Sequence, residues 1–216
     1  EFSYGNPQKI ALDFGLGASS VLSAIIAIFL GGSLISKEVE SRTIYIALSR
    51  PIDRVNFLIG KILGMSLVLG LNILLINTVS IAVYFYYGGA FDSIILFSVV
   101  FSFLESLIIL MIVTMFSLFT NQTISIVNTV IIYFLGHAIP RSFDVHFLNA
   151  RPLLLKFVKA YSYVFPNLDK INIRDFVIYK RGIPTDFIMG AFVYAISYCI
   201  ILLVINSYIF SKKELE

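Results

Sequence analysis

The chain has 216 residues, 58% of them hydrophobic and 13% charged, with a formal net charge of +3 and a mean hydropathy of +0.91. Ordinary soluble domains are roughly 45–50% apolar and roughly 25% charged, so a soluble fold of this size has too little interior to hide so much apolar surface. The charge is spread over several loops with no basic stripe interleaved with aromatics, which sets nucleic acid aside as a partner, and the single Cys199, inside an apolar run, excludes a disulfide framework within the chain.

The N-terminal stretch 1–10 has neither the basic start nor the apolar heart of a signal peptide. The first charge-free run, 14–36, is rich in small residues (Gly15, Gly17, Gly31, Gly32) that suit close helix packing in lipid. Its length exceeds the roughly 20 helical residues needed to cross a hydrocarbon core. Residues 37–61 are dense in charge, broken by Pro51, and expected outside the hydrocarbon. A second span follows at about 57–87, with Gly60 and Gly64 as a G-x-x-x-G packing face and Tyr84, Tyr86 and Tyr87 as an aromatic interface at its far end. Asp92 marks a tight turn, and a third span at 93–119 is interrupted only by Glu105. A short polar turn, 120–123, leads to a fourth span at 124–140, expected to end or break at Pro140. The loop 141–186 is polar and basic, with 152–165 reading as an amphipathic interfacial helix. A fifth span at 187–210 and a Ser-Lys-Lys-Glu-Leu-Glu tail close the chain. The whole is an all-α polytopic membrane protein forming one transmembrane domain over 1–216.

Five spans put the ends on opposite sides. Loop 37–61 carries five Lys/Arg and the tail two, whereas loop 141–186, on the other side, carries eight, so charge counting favours the inverted topology or leaves the long loop undecided.

Between the first two spans, Ile35, Val39, Ile46 and Ala47 recur at helical spacing with charges opposite, and Glu38 with Arg42 is an i,i+4 pair in the favourable orientation. Pro51 should stop that helix, and Asp53 is placed to cap the next. A short amphipathic helix at 35–50, a proline elbow and a new span form one unit. Such a helix either rests passively on the membrane or offers a rigid handle to a soluble partner.

The run E-V-E-S-R-T-I-x-x-x-L-S-R-P-I-x-R-x-x-F-L-x-G-K, residues 38–61, resembles the signature of type 2 ABC transporter permeases. Glu38, Glu40, Arg42, Thr43, Leu48, Ser49, Pro51, Ile52, Arg54, Phe57, Gly60 and Lys61 all stand at the expected spacing. Tyr163-Val-Phe-Pro-Asn-Leu168 and Phe210-Ser-Lys-Lys-Glu-Leu215 are similar to the subgroup that includes the nitrous-oxide-reductase maturation permease. The resemblance implies a six-span half-transporter, with one helix expected before Glu1, that pairs with a second copy or a homologous permease in a bacterial or archaeal plasma membrane. It implies an exporter in which 35–50 is a coupling helix docking into a cytoplasmic ATPase, with Glu38, Glu40, Arg42, Thr43, Leu48, Pro51 and Arg54 at or near that contact, and with 141–186 on the outer face. ATP and Mg would be held by the ATPase and no cofactor by this chain, which has no phosphate-binding loop: the Gly60-Lys61 pair is followed by Ile62 and lacks the upstream glycine.

Glu105 is the one acidic residue deep in an apolar run, and a charge there costs on the order of 2.5–3.5 kcal/mol even on the lower scale unless it is paired. It is a candidate pathway residue; the alternative is an internal hydrogen bond to Asn72, Asn77 or Asn128. His137 and His146 read as interface residues, since two separated histidines and Cys199 do not make a metal site. The rival function is a secondary transporter or channel using Glu105, which predicts inverted repeats that the chain does not show. A membrane enzyme would need motifs such as H-E-x-x-H or G-x-S-x-G, both absent.

Overall fold

In a computed structural model, the described residues are 7–34, 53–142, 152–174, 176 and 185–213. With no water in hydrocarbon to satisfy backbone N–H and C=O groups, the apolar runs have to close their hydrogen bonds internally as helices. They do so as α1 (Pro7–Ser33), α2 (Arg54–Tyr86), α3 (Ser93–Phe119), α4 (Gln122–Ser142), α5 (Pro152–Val164), a 3-10 turn (Leu168–Lys170) and α6 (Thr185–Lys212). All but α5 and the 3-10 turn are long and apolar enough to cross a membrane, making five candidate spans among the described residues, which form an all-helical fold.

The polarity is inside out relative to a soluble protein. Leu67, Leu75, Val79, Phe14 and Phe134 are each at least 65% exposed, while Ser19, Ser23, Asn77, Glu105, Thr114 and Asn206 are 5% exposed or less. α3 sits at the centre and packs against each of the other four spans. Small and polar residues join large apolar ones in the contacts, as expected where lipid removes the hydrophobic drive between helices. Asn77 of α2 donates to Ser19 Oγ of α1 at 2.8 Å, and Asn206 of α6 donates to the Met111 carbonyl of α3 at 3.1 Å. Gly31 lets α1 approach α3 so closely that a Cβ there would lie 2.3 Å from Val113 and 2.9 Å from the Leu110 carbonyl.

Several boundaries differ from the sequence expectation. α1 starts at Pro7 and takes Asp13 into the helix, where Arg174 neutralises it across 161 residues. α2 starts at Arg54, and Lys61, expected outside the hydrocarbon, lies in its second turn with the ammonium 5.9 Å from the Phe57 ring centre. Asp53 holds the N-cap position of α2, but its side chain accepts no helix N–H; it faces the Asn56 amide at 3.5 Å instead. α4 passes through Pro140, which stands in the last turn, where its missing N–H deprives only the Gly136 carbonyl of a helical donor.

Tyr84 does not face the interface with Tyr86 and Tyr87. It is 5% exposed, its ring is covered by Gly89, and its hydroxyl donates to the Ala90 carbonyl at 3.1 Å. Gly88, with φ of +82°, turns the chain over it. Asp92 closes the turn as the N-cap of α3, accepting from Ile94 N–H at 3.1 Å. Asp92→Ala should lower stability by about 1 kcal/mol, read as a modest fall in the thermal unfolding midpoint in detergent; an unchanged midpoint would show that the α2–α3 turn does not depend on this cap.

The described part of the 141–186 loop folds back into the bundle rather than resting on its surface. α5 presents exposed Leu153 at its start, but Tyr161 near its end donates to the Ile132 carbonyl of α4 at 3.3 Å. Ile132 lies ten residues, about 15 Å, below the end of α4. Burial pushes the Tyr161 hydroxyl up to about 12, which keeps it a proton donor. Leu168, Ile171 and Ile173 follow at 2% exposure or less. Leu168 sits on Gly136, where a Cβ would be 3.0 Å from its side chain, and the Asn167 N–H is bonded to the Tyr194 hydroxyl of α6 at 2.8 Å.

Candidate functional site

The returning segment roofs a pocket of about 270 Å³ walled by α1, α3 and α4. Its polar lining comes from one face of each helix: Ser20 from α1, Ser98, Ser102 and Glu105 at i, i+4 and i+7 of α3, and Tyr133 and His137 at i and i+4 of α4. Glu105 stands about 18 Å along α3 from Ser93, far from either end of the helix.

Glu105 Oε1 lies 2.9 Å from His137 Nε2. The carboxylate side chain is 7% exposed and the imidazole 20%. Glu105 lines the pocket, and its other carboxylate oxygen has no hydrogen-bond partner among the described residues. Tyr133 packs edge-on against the imidazole, with ring centres 4.9 Å apart, and so holds the ring toward Glu105. Of the asparagines considered as partners of Glu105, Asn77 is bonded to Ser19 and Asn72 to the Val68 carbonyl of its own helix. His137 is therefore not an interface residue. Sequence reading missed its role, although the signal existed: an acid and an imidazole each standing in an otherwise apolar run are expected to find one another in the bundle.

At the mouth of the pocket, Arg174 binds Asp13 through Nε at 3.0 Å and through a closer contact of one terminal nitrogen, which also donates to the Asp13 carbonyl at 3.0 Å. The guanidinium lies against Gly17, where a Cβ would sit 2.6 Å from it. A side chain at position 17 would require the guanidinium to shift.

A second cluster lies at the opposite end of the bundle, at the start of α2. Arg54, at the first position of α2, donates to the Lys213 carbonyl at 2.9 Å, and Lys213 Nζ donates to the Leu118 carbonyl at the end of α3 at 2.7 Å. Burial lowers the Lys213 pKa from its ordinary value. Phe57 stacks on fully buried Phe210 beneath these bonds, with ring centres 6.3 Å apart. The start of α2 is thereby tied to the ends of α6 and α3. Glu38, Glu40, Arg42, Thr43, Leu48 and Pro51, with the rest of the 35–50 helix, lie outside the described residues. Among the described residues Gly60 and Gly64 meet nothing within 4 Å, and they line an outward groove with Asn56, Phe57, Met65 and Val68. Among the described residues no three His, Cys, Asp or Glu converge as a metal site.

Apolar helices coated for lipid, with an ionisable pair and hydroxyls held inside, define a multi-pass membrane protein with a polar chamber. The family profile described as ABC-2 family transporter protein matches residues 2–215, and the chain belongs to that family. It is a permease subunit of an ABC transporter, the membrane component that normally works with an ABC ATPase. No curated protein and no solved structure matches it.

Proposed function

We propose that the chain is one permease half of an ATP-driven exporter, paired with a second copy or a homologous permease in a bacterial or archaeal plasma membrane. Residues 35–50 dock on a cytoplasmic ATPase that holds ATP and Mg. The family match carries this reading, together with the position of that segment between α1, a wall of the polar pocket, and α2, whose first residue Arg54 is bonded to the end of α6. Closure of two ATPase subunits would pull on the segment, moving α1 on one side and the α2–α6–α3 tie on the other, and so change access to the chamber. On this topology the pocket and the 141–186 segment face outward. The finer likeness to the nitrous-oxide-reductase maturation subgroup rests on 163–168 and 210–215. Glu38, Glu40, Arg42, Thr43 and Leu48 would supply the contacts, and Pro51 the elbow that passes the push to α2.

The Glu105–His137 pair supports a second reading, a transporter or channel driven through that carboxylate without an ATPase. Affinity purification separates the two. Extracted in mild detergent through a tag at Glu216, the wild-type chain should bring an ATPase subunit with it, and Glu38→Arg with Arg42→Glu should lose it while the permease stays folded. Retention by the double variant would refute docking at 35–50. If wild type brings down no ATPase at all, the second reading takes its place.

A further inference from the structure

The pocket has a charge and shape of its own that neither family membership nor the ATPase reading specifies. It is lined by a carboxylate 5% exposed, with one oxygen on His137 and the other without a hydrogen-bond partner among the described residues. A carboxylate in this position accepts hydrogen bonds and attracts positive charge, and a low-dielectric wall strengthens both. The walls beside it are rings: Phe101, Tyr133 and Phe134 line the same space. Aromatic rings next to a buried anion are the surroundings that favour ammonium groups, through cation–π attraction. Ser20, Ser98 and Ser102 add hydroxyls, and Ser98, which donates to the Ile95 carbonyl at 2.6 Å, offers the pocket only lone pairs.

The other charges at the pocket do not reverse this preference. Arg174 faces it from the returning segment and is occupied by Asp13, so that pair sums to zero at the mouth. His137 is the internal partner of Glu105 and the group an entering cation would replace. The volume of about 270 Å³ suits a ligand of small-molecule size.

We infer that this pocket binds a small organic cation, an amine or quaternary ammonium group, with Glu105 as its counter-charge and Phe101, Tyr133 and Phe134 as its walls. The site adds a ligand class to the transport reading and gives Glu105 and His137 a role that the ATPase contact does not explain.

The test is equilibrium binding to the purified full chain in detergent, by calorimetry, with choline, its uncharged isostere in which carbon replaces nitrogen, and propionate as probes. Choline should bind saturably and the isostere at least about tenfold more weakly, the loss expected when a charged contact is removed. Glu105→Gln, nearly identical in shape, should lose choline binding by a similar factor, and Ser20→Leu, which fills the pocket but leaves the carboxylate, should lose it as well. If Glu105→Gln does not fold, Ser20→Leu and the isostere still decide. Equal binding of choline and its isostere, binding of propionate instead, or no binding of any probe overturns the proposal. No ATPase or nucleotide takes part, so failure here leaves the copurification result standing, and failure there leaves this one.

Discussion

His137→Leu should destabilise the bundle by about 1–3 kcal/mol, the usual cost of leaving a buried acceptor without its hydrogen-bond partner. Glu105 is 7% exposed at its side chain, and the His137 ring supplies its hydrogen bond at 2.9 Å. Leucine also removes the ring that Tyr133 packs against. The diagnostic comparison is with Glu105→Leu plus His137→Leu. Replacing both members of a buried pair by apolar residues is often neutral or stabilising, so the double variant should recover most of the loss. Thermal unfolding of the four members of the cycle in one detergent measures the coupling. A double variant no more stable than His137→Leu would show that the imidazole acts through packing alone.

Gly31→Leu should cost about 3 kcal/mol, at the upper end of the range for overpacking a well-packed contact. The new Cβ would meet Val113 at 2.3 Å, which a rotamer change relieves in part, and the Leu110 carbonyl at 2.9 Å, which is backbone and yields only if α1 and α3 separate. The rest of the leucine side chain would enter the cluster around fully buried Ala27, Leu110 and Val113. Since α1 walls the pocket, the same separation should open it and weaken any ligand held there. Gly64→Leu is the matched control: with no described residue within 4 Å of the new Cβ, it should leave the isolated chain as stable as wild type. Equal unfolding midpoints for Gly31→Leu and wild type would mean that the α1–α3 approach is not a tight constraint.

The spans were legible because crossing a bilayer is nearly a one-dimensional problem. A run without charge, long enough and closed on its own hydrogen bonds, forms a helix whatever its neighbours do. The expected spans at 93–119 and 187–210 correspond to helices Ser93–Phe119 and Thr185–Lys212. Legibility fails at the ends, where a distant partner decides. Asp13 reads as a boundary charge until Arg174 is beside it, and Tyr84 reads as an interface residue until Gly88 turns the chain over its ring. The packing glycines divide in the same way. Gly31 meets α3, but Gly60 and Gly64, in the more recognisable motif, face outward, because the rotation of α2 is set by Asn77 against Ser19 and by Leu69 and Ile73 in the core.

By itself the sequence determined the membrane class, the five spans, and the family, whose signature at 38–61 is a local pattern of side chains on a loop and the start of one helix. It also singled out Glu105, since a carboxylate in an apolar run is conspicuous at any fold. Tertiary structure alone decided what Glu105 faces. Its partner is 32 residues away on another helix, and the roof of its pocket comes from a loop that composition placed at the membrane surface. Helix rotation and the return of a loop depend on how small residues, amides and rings fit between elements, and the hydropathy that draws the spans carries none of that information.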